Sequence, residues 1–263
     1  MKVLIINNLC LKGKKKHFNY IIKKLRKIYH NLIVVDFISF NNINKNQIKI
    51  LIIAGGDGSI NRIVNKTINY NITYGIIPLG TANDFSHSLR MTSIDKAIDK
   101  IREGNITVIP VNKVNNDYFL YALSYGCLNK YLYISKSKRF FFKYAYVLSL
   151  LKVMKSEREC IKIRTVKKIE TVKAKCVIIT NSKYLGGFKI NLPTSRKYYV
   201  FVIKDLIDLV RLFINSRKYL FEINNETNVY VEGESKDICL DGEKYSYQFL
   251  EIKFARKWIK VIS

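Results

Sequence analysis

Ile50-Leu51-Ile52-Ile53-Ala54-Gly55-Gly56-Asp57-Gly58-Ser59 is the stretch on which the reading of the chain turns. The apolar run Ile50–Ala54 shows no alternation, which fits a parallel strand buried on both faces. Ile60, Ile63, Val64 and Ile68 follow at helical spacing, so the glycines sit on a strand-to-helix turn. Glycine reaches backbone conformations closed to other residues and lets a second group approach the main chain. A helix N-terminus presents N–H groups and a positive dipole end, both suited to phosphate. Asp57 is the exception, because a carboxylate repels phosphate unless a metal or a proton transfer intervenes. A tight turn with Ser59 as helix cap accounts for the same residues equally well.

Upstream, residues 2–7 read as a first strand ending at Asn7-Asn8. Gly13 and Lys14-Lys15-Lys16 follow, then an amphipathic helix with Phe18, Ile21, Ile22, Leu25 and Ile28 on one face. Strand, glycine, lysines and helix make a candidate anion site, though not a P-loop since GxxxxGK[ST] is absent; a solvated helix start is the preferred reading. Leu32–Val35 is a second strand, and Asn41–Gln47 a polar loop or short helix. Downstream, the strand Tyr74–Ile77 runs into Pro78-Leu79-Gly80-Thr81-Ala82-Asn83-Asp84-Phe85. A strand again ends in a turn carrying a glycine, a hydroxyl, an amide and a carboxylate. In an open α/β sheet such strand ends share one edge, where ligands bind, so the two loops are expected to converge. A helix around Ile94–Ile101 closes a first domain, 1–104.

The pattern changes after Gly104. Ile106–Val114 and Asp117–Ser124 are alternating strands joined at Asn115-Asn116, a hairpin signal. Residues 141–155 read as a helix, either packed or in contact with a membrane. Strands are expected at 159–165, 174–180 and 198–203, a helix at 204–217, and strands at 219–223, 227–231, 237–240 and 245–254. A short strand at 258–262 could return to the first domain. Residues 105–263 thus read as an antiparallel β domain.

Composition narrows the classes. At 48% hydrophobic and 25% charged the chain is globular, and no uncharged apolar run is long enough for a transmembrane helix. The short apolar start lacks a signal-peptide cleavage pattern. Five scattered cysteines form neither a disulfide framework nor a metal motif and fit a reducing cytosol. The net charge, 46 − 20 = +26, is spread along the whole chain. Compositional drift toward Lys, Ile, Asn and Tyr ranks first as its cause. An anionic lipid surface ranks second. Nucleic acid ranks last, because no nucleic-acid motif accompanies the charge.

With both loops in hand, the chain resembles the diacylglycerol kinase catalytic domain family, in the bacterial lipid kinase branch related to sphingosine kinases. Gly55-Gly56-Asp57-Gly58-Ser59 with Asn61, and Pro78 through Phe85, carry the resemblance. Tyr144-Ala145-Tyr146, Asn181 with Gly186-Gly187, and Asp241-Gly242-Glu243 are weaker echoes. The first loop is shared with NAD kinases and phosphofructokinases, the second is more specific. The resemblance implies a Rossmann-like α/β nucleotide-binding domain followed by an antiparallel β-sandwich, with ATP and lipid meeting between them. It implies that Gly55, Gly56, Asp57, Gly58, Ser59 and Asn61 hold the ATP phosphates and that Gly80, Thr81, Asn83 and Asp84 complete the nucleotide site. Asn7 stands near the family's polar first loop, whose pattern is degraded here. By the same resemblance Glu243 is the proton acceptor and Asp57 organises phosphate or metal.

The expected reaction is Mg²⁺-assisted transfer of the ATP γ-phosphate to a lipid hydroxyl, most plausibly that of diacylglycerol. It would run in the cytosol with peripheral contact to anionic membrane, and two β domains could pair as a homodimer. Phosphoryl transfer needs in-line geometry, neutralised charge and a carboxylate near the hydroxyl, which these residue types supply. Three departures stand out. Arg62 follows Asn61 where the family has Glu, the chain is short for the family, and the family's acidic metal segment aligns with Ser195-Arg196-Lys197-Tyr198, which has no acid. Two other readings are a kinase of a soluble substrate, as NAD kinases are, and a non-catalytic nucleotide- or lipid-binding protein.

Overall fold

The computed structural model describes residues 2–7, 15–126, 157–194, 197–214, 219–223 and 228–263. They form two compact units, 1–111 with 257–263, and 112–256.

The first unit is a parallel sheet with helices. Its strands are β1 (Lys2–Asn7), β2 (Leu32–Asp36), β3 (Ile48–Gly55) and β4 (Thr73–Pro78). Their order is β2-β1-β3-β4, every pairing being parallel. The final strand, Phe249–Ile262, adds its end to β4 in parallel, Lys260 beside Thr73. Leu51 to Ala54 and Ile76–Ile77 are all buried, as a two-faced parallel sheet requires. The helices are α1 (Lys15–Arg26), α2 (Asp57–Thr67), the single-turn α3 (Asp84–Ser88) and α4 (Ile94–Glu103). Each of the longer three buries an apolar stripe: Phe18, Ile21 and Leu25; Ile60, Ile63 and Val64; Ala97, Ile98 and Ile101. Ser93 caps α4 through the Lys96 N–H, and left-handed Gly104 ends it.

The second unit is a β-sandwich with a helix on one outer face. Its strands begin at β5 (Ile106–Val114), which pairs with β6 (Asp117–Phe119). One sheet runs β18-β15-β8-β9, where β8 is Glu159–Thr165, β9 Ile169–Ala174, β15 Val229–Glu232 and β18 the start of Phe249–Ile262. The other runs β14-β13-β10-β7-β16-β17: Phe221–Ile223, Tyr198–Ile203, Cys176–Thr180, Ala122–Tyr125, Asp237–Leu240 and Glu243–Ser246. Ile161, Val231, Leu250 and Ile252 of the first sheet meet Leu123, Val177, Ile179, Val200 and Leu240 of the second in one core. On the outer face of the second sheet, α5 (Leu206–Ile214) packs Leu209 and Leu212 onto Ile178, Phe201 and Ile203. A two-strand hairpin, β11 (Tyr184–Leu185) with β12 (Phe188–Lys189), turns at Gly186-Gly187.

Several elements differ from the sequence reading. The expected strand 117–124 is two strands, because the N–H groups of Leu120, Tyr121 and Ala122 bond to the Asp241 carboxylate instead of to a neighbouring strand. The expected strands 245–254 and 258–262 are instead β17 and one continuous β18. β9 was not foreseen. The division between units falls after Val111, inside β5, where the sequence suggested 104. The helix expected at 141–155, with Tyr144-Ala145-Tyr146, lies outside the described residues, as do Gly13, Ser195 and Arg196. Among the described residues no helix is long and apolar enough to cross a membrane.

Candidate active site

Strand register brings the two loops to one sheet edge. Asn7 pairs with Ala54, and Gly55, the last residue of β3, with Pro78, the last of β4. Gly56 then caps α2 in an extended conformation. A β-carbon on Gly55 would lie 2.7 Å from Ser59 Cβ, and one on Gly56 would lie 2.8 Å from the Cα of Gly80. A β-carbon on Gly80 would meet Gly56 Cα and would lie 2.6 Å from Asn83 Oδ1. The close approach that Gly56 and Gly80 permit is of one loop to the other.

Asp57 ties the same loops a second time. Its carboxylate is buried, with Oδ1 accepting the Phe85 N–H at 2.9 Å and Oδ2 the Asp84 N–H at 3.1 Å. Both donors belong to the first turn of α3, so the carboxylate supplies that turn with its missing acceptors. Asn83 closes the second loop on itself. It takes a left-handed backbone (φ 55°, ψ 37°), accepts the Gly80 N–H at 2.8 Å and donates to the Gly80 carbonyl at 3.1 Å. Asp84 is buried. Asn61 is wholly buried and accepts from Asn65 Nδ2 at 3.2 Å, so its amide serves the interior of α2. Gly58, Ser59 and Gly80 remain half-buried and Thr81 exposed. Gly56, Ala82 and Asn83 are half-buried too, so accessible positions come from both the start of α2 and the loop after β4. The first-turn N–H groups there suit an anionic group.

Arg62, one departure from the family pattern noted in this unit, sits on the ring of Phe37. Arg62 lies with its Cζ 5.3 Å from the centre of the Phe37 ring, and Lys66 Nζ sits 4.6 Å from the same ring while donating to Asn41 Oδ1 at 2.6 Å. Arg62 thus serves a cation–π contact on the exposed side of α2. Beneath the helix, Tyr74 OH meets Thr67 Oγ1 at 2.8 Å, and Thr67 Oγ1 donates to the Ile63 carbonyl at 2.7 Å. Burial pushes the Tyr74 phenol up to about 12, only partly offset by the Thr67 hydrogen bond.

In the second unit, Glu243 opens β17 directly after a two-residue turn. Asp241 (φ 47°) and Gly242 (φ 86°) are both left-handed, the combination that suits a tight hairpin. Asp241 is only 1% exposed. Its carboxylate accepts three consecutive N–H groups, Leu120 at 2.5 Å, Tyr121 at 3.0 Å and Ala122 at 3.0 Å. Three donors offset the cost of burying the charge. Thr180 Oγ1 braces the same segment by donating to the Tyr121 carbonyl at 2.8 Å. Glu243, half-buried, is therefore carried on a turn anchored to the neighbouring strand pair. The sequence marked Asp241-Gly242-Glu243 for its glutamate; the anchoring by Asp241 was not foreseen. An Asp-Gly turn leading into a strand was its only signal.

Nothing among the described residues groups three or more His, Cys, Asp or Glu side chains as a metal site. Where the family's acidic segment aligns, Lys197 pairs with Glu222 at 2.6 Å, and that hydrogen bond raises the lysine pKa.

Residues 3–114 match the family model described as the diacylglycerol kinase catalytic domain. Over this segment, less than half of the chain, the sequence is similar to the diacylglycerol kinase catalytic domain family. The resemblance drawn from the two loops holds. A diacylglycerol kinase of Staphylococcus saprophyticus is 30% identical over 62% of this chain and 56% of its own length. The chain thus matches little more than half of that relative. A diacylglycerol kinase of Bacillus subtilis is 28% identical over 75% of this chain and 72% of its own. A crystal structure of a diacylglycerol kinase from Bacillus anthracis superposes with a TM-score of 0.75 at 23% identity, covering 99% of this chain and 96% of that one. This likeness shows the shared fold, an α/β domain with a β-rich domain.

Proposed function

We propose that the chain is a lipid kinase that transfers the γ-phosphate of ATP to a lipid hydroxyl, with diacylglycerol the first candidate and phosphatidic acid its product. The observation that carries this reading is the direct contact of the Gly56 and Gly80 main chains, within the segment that matches the kinase family. It leaves Gly58, Ser59, Gly80 and Thr81 around the start of α2 to hold the nucleotide phosphates. Asp57, Asn83, Asp84 and Asn61 act behind them as positioning residues, with Gly55 permitting the turn and Asn7 at the neighbouring strand end. Glu243 is the general base for the lipid hydroxyl, held by Asp241. Mg²⁺ enters with ATP and neutralises charge on the phosphates, and water and phosphate oxygens supply most of its ligands. Docking is peripheral, on the cytosolic face of an anionic membrane.

The test is labelled-phosphate transfer from ATP in mixed micelles. Diacylglycerol, ceramide, sphingosine and a polyprenol are offered separately, with and without Mg²⁺. Wild type is expected to label one lipid in an Mg²⁺-dependent manner. Glu243→Gln should lose about 10²-fold or more in rate, the usual contribution of a general base. A Glu243→Gln protein at normal rate removes that residue from the mechanism. Folded wild type that binds ATP but labels no lipid overturns the lipid-kinase reading, in favour of a soluble substrate or a binding role.

A further inference from the structure

Helix α5 has two apolar faces. Leu209 and Leu212 pack into the sandwich, but Ile207, Val210 and Ile214 are 59%, 44% and 78% exposed. Their spacing of three and then four residues sets them in one stripe along the helix. A surface helix ordinarily gives that position to polar side chains. The apolar surface continues beyond the helix, since the exposed Phe188 of the β11–β12 hairpin packs at a tilt against Phe213 with ring centres 5.2 Å apart. Basic groups border it: Lys189 follows Phe188, Lys204 precedes α5, and all of Arg158, Lys189, Lys204 and Arg211 are exposed. Two local acids pair with Arg158 and Arg211 of this rim, leaving Lys189 and Lys204 beside them. Asp205 lies 3.9 Å from Arg158 and accepts the Asp208 N–H, and Asp208 lies 3.6 Å from Arg211 and accepts the Lys204 N–H.

We infer that the Ile207–Val210–Ile214 stripe is the surface by which this protein docks on an anionic lipid bilayer. An apolar helix face with a basic rim is the arrangement that lies in the plane of a membrane interface. A second copy of the chain is the competing occupant. It would bring another +26 charge to the contact, and that repulsion disfavours it, whereas an anionic surface is favoured by the same charge. The inference gives the lipid-kinase reading its contact surface and rests on that reading for its purpose, but not for its test.

The experiment is co-sedimentation with vesicles of phosphatidylcholine alone and of phosphatidylcholine mixed with phosphatidylglycerol. The proteins are wild type, the triple variant Ile207→Ser/Val210→Ser/Ile214→Ser, and Val166→Ser as control. Val166 is 83% exposed in the turn between β8 and β9, outside the sheet that α5 covers. Wild type and Val166→Ser are expected to bind the anionic vesicles, less so at high salt. The triple variant should lose affinity by about tenfold or more, because three apolar side chains no longer leave water. Circular dichroism of the variant must match wild type, so that lost binding is not lost folding; the three residues lie outside the buried cluster under the helix. Equal binding by the triple variant overturns the inference. So does sedimentation equilibrium showing a wild-type dimer that the triple variant dissolves while vesicle binding stays the same. Stripe-dependent binding by a protein that labels no lipid upholds the inference while the kinase reading fails.

Discussion

Gly56 and Gly80 meet main chain to main chain, close enough that a β-carbon on Gly56 would stand 2.8 Å from the Gly80 Cα. Backbone on both sides leaves no flexible group to yield. Gly56→Ala is therefore expected to cost about 1–3 kcal/mol, the range of overpacking, and to lower Tm by several degrees. Because Gly56 has an extended backbone open to any residue, strain in φ is not the cause. Thermal and urea unfolding of the variant check this, and an unchanged Tm would mean that the loops part without cost.

Asp241 and Glu243 are two residues apart and should fail in different ways. Asp241→Asn keeps one acceptor oxygen and turns an NH₂ group toward backbone donors, leaving at least one buried N–H without a partner. A loss of about 1–3 kcal/mol follows. Asn tolerates the left-handed backbone, so the turn itself survives. Glu243→Gln, half-buried, should leave the urea midpoint where it is. Equal midpoints for the two variants would contradict the anchoring role of Asp241.

Tyr74 gives the fold an alkaline limit. Its phenol is pushed up to about 12 in the native state, against about 10 for a free phenol. Below pH 10 both native and unfolded chains keep the proton, and stability is unaffected. Between about pH 10 and pH 12 only the unfolded chain releases it, so stability falls as pH rises. Tyr74→Phe removes its share of this slope, to which Tyr125, Tyr198 and Tyr247, also raised by burial, contribute as well. At about pH 8 the variant should be weaker by about 1 kcal/mol for the lost hydrogen bond to Thr67. At about pH 11 the deficit should close, because one unit of titration is worth about 1.4 kcal/mol. Urea midpoints at the two pH values measure it, and a deficit that persists undiminished would rule out Tyr74 as a source.

The parallel sheet was legible because burial on both faces writes a run of apolar residues, as in Ile50–Ala54, and because Gly55-Gly56 punctuates its end. The sandwich was less so. β9 exposes Ile169, Thr171 and Lys173 at a sheet edge and buries only Ala174 fully, so its sequence lacks the alternation that marks a strand with one face in a core. The break between β6 and β7 was invisible because its cause, the Asp241 carboxylate, is 119 to 121 residues away in the chain. At the site, residue types identified both loops, but not which side chains face outward. Asn61 and Asp57 read as ligand-facing polar groups, yet each is buried and hydrogen-bonded within the protein. Helical spacing assigns Asn61 to neither fate, since the positions around it alternate between core and solvent within one turn.

The long strand β18 has a consequence for synthesis. Lys260 and Val261 sit beside Thr73 and Tyr74, so the first unit takes its outermost parallel strand from the far end of the chain. A ribosome delivers residues 1–111 well before that strand exists. During translation β4 is therefore a bare edge, able to pair with any extended segment nearby, while the whole second unit is being made. Closing a loop of that length is slow, which places completion of the parallel sheet among the last events of folding. The half of the molecule that begins first is the half that finishes last.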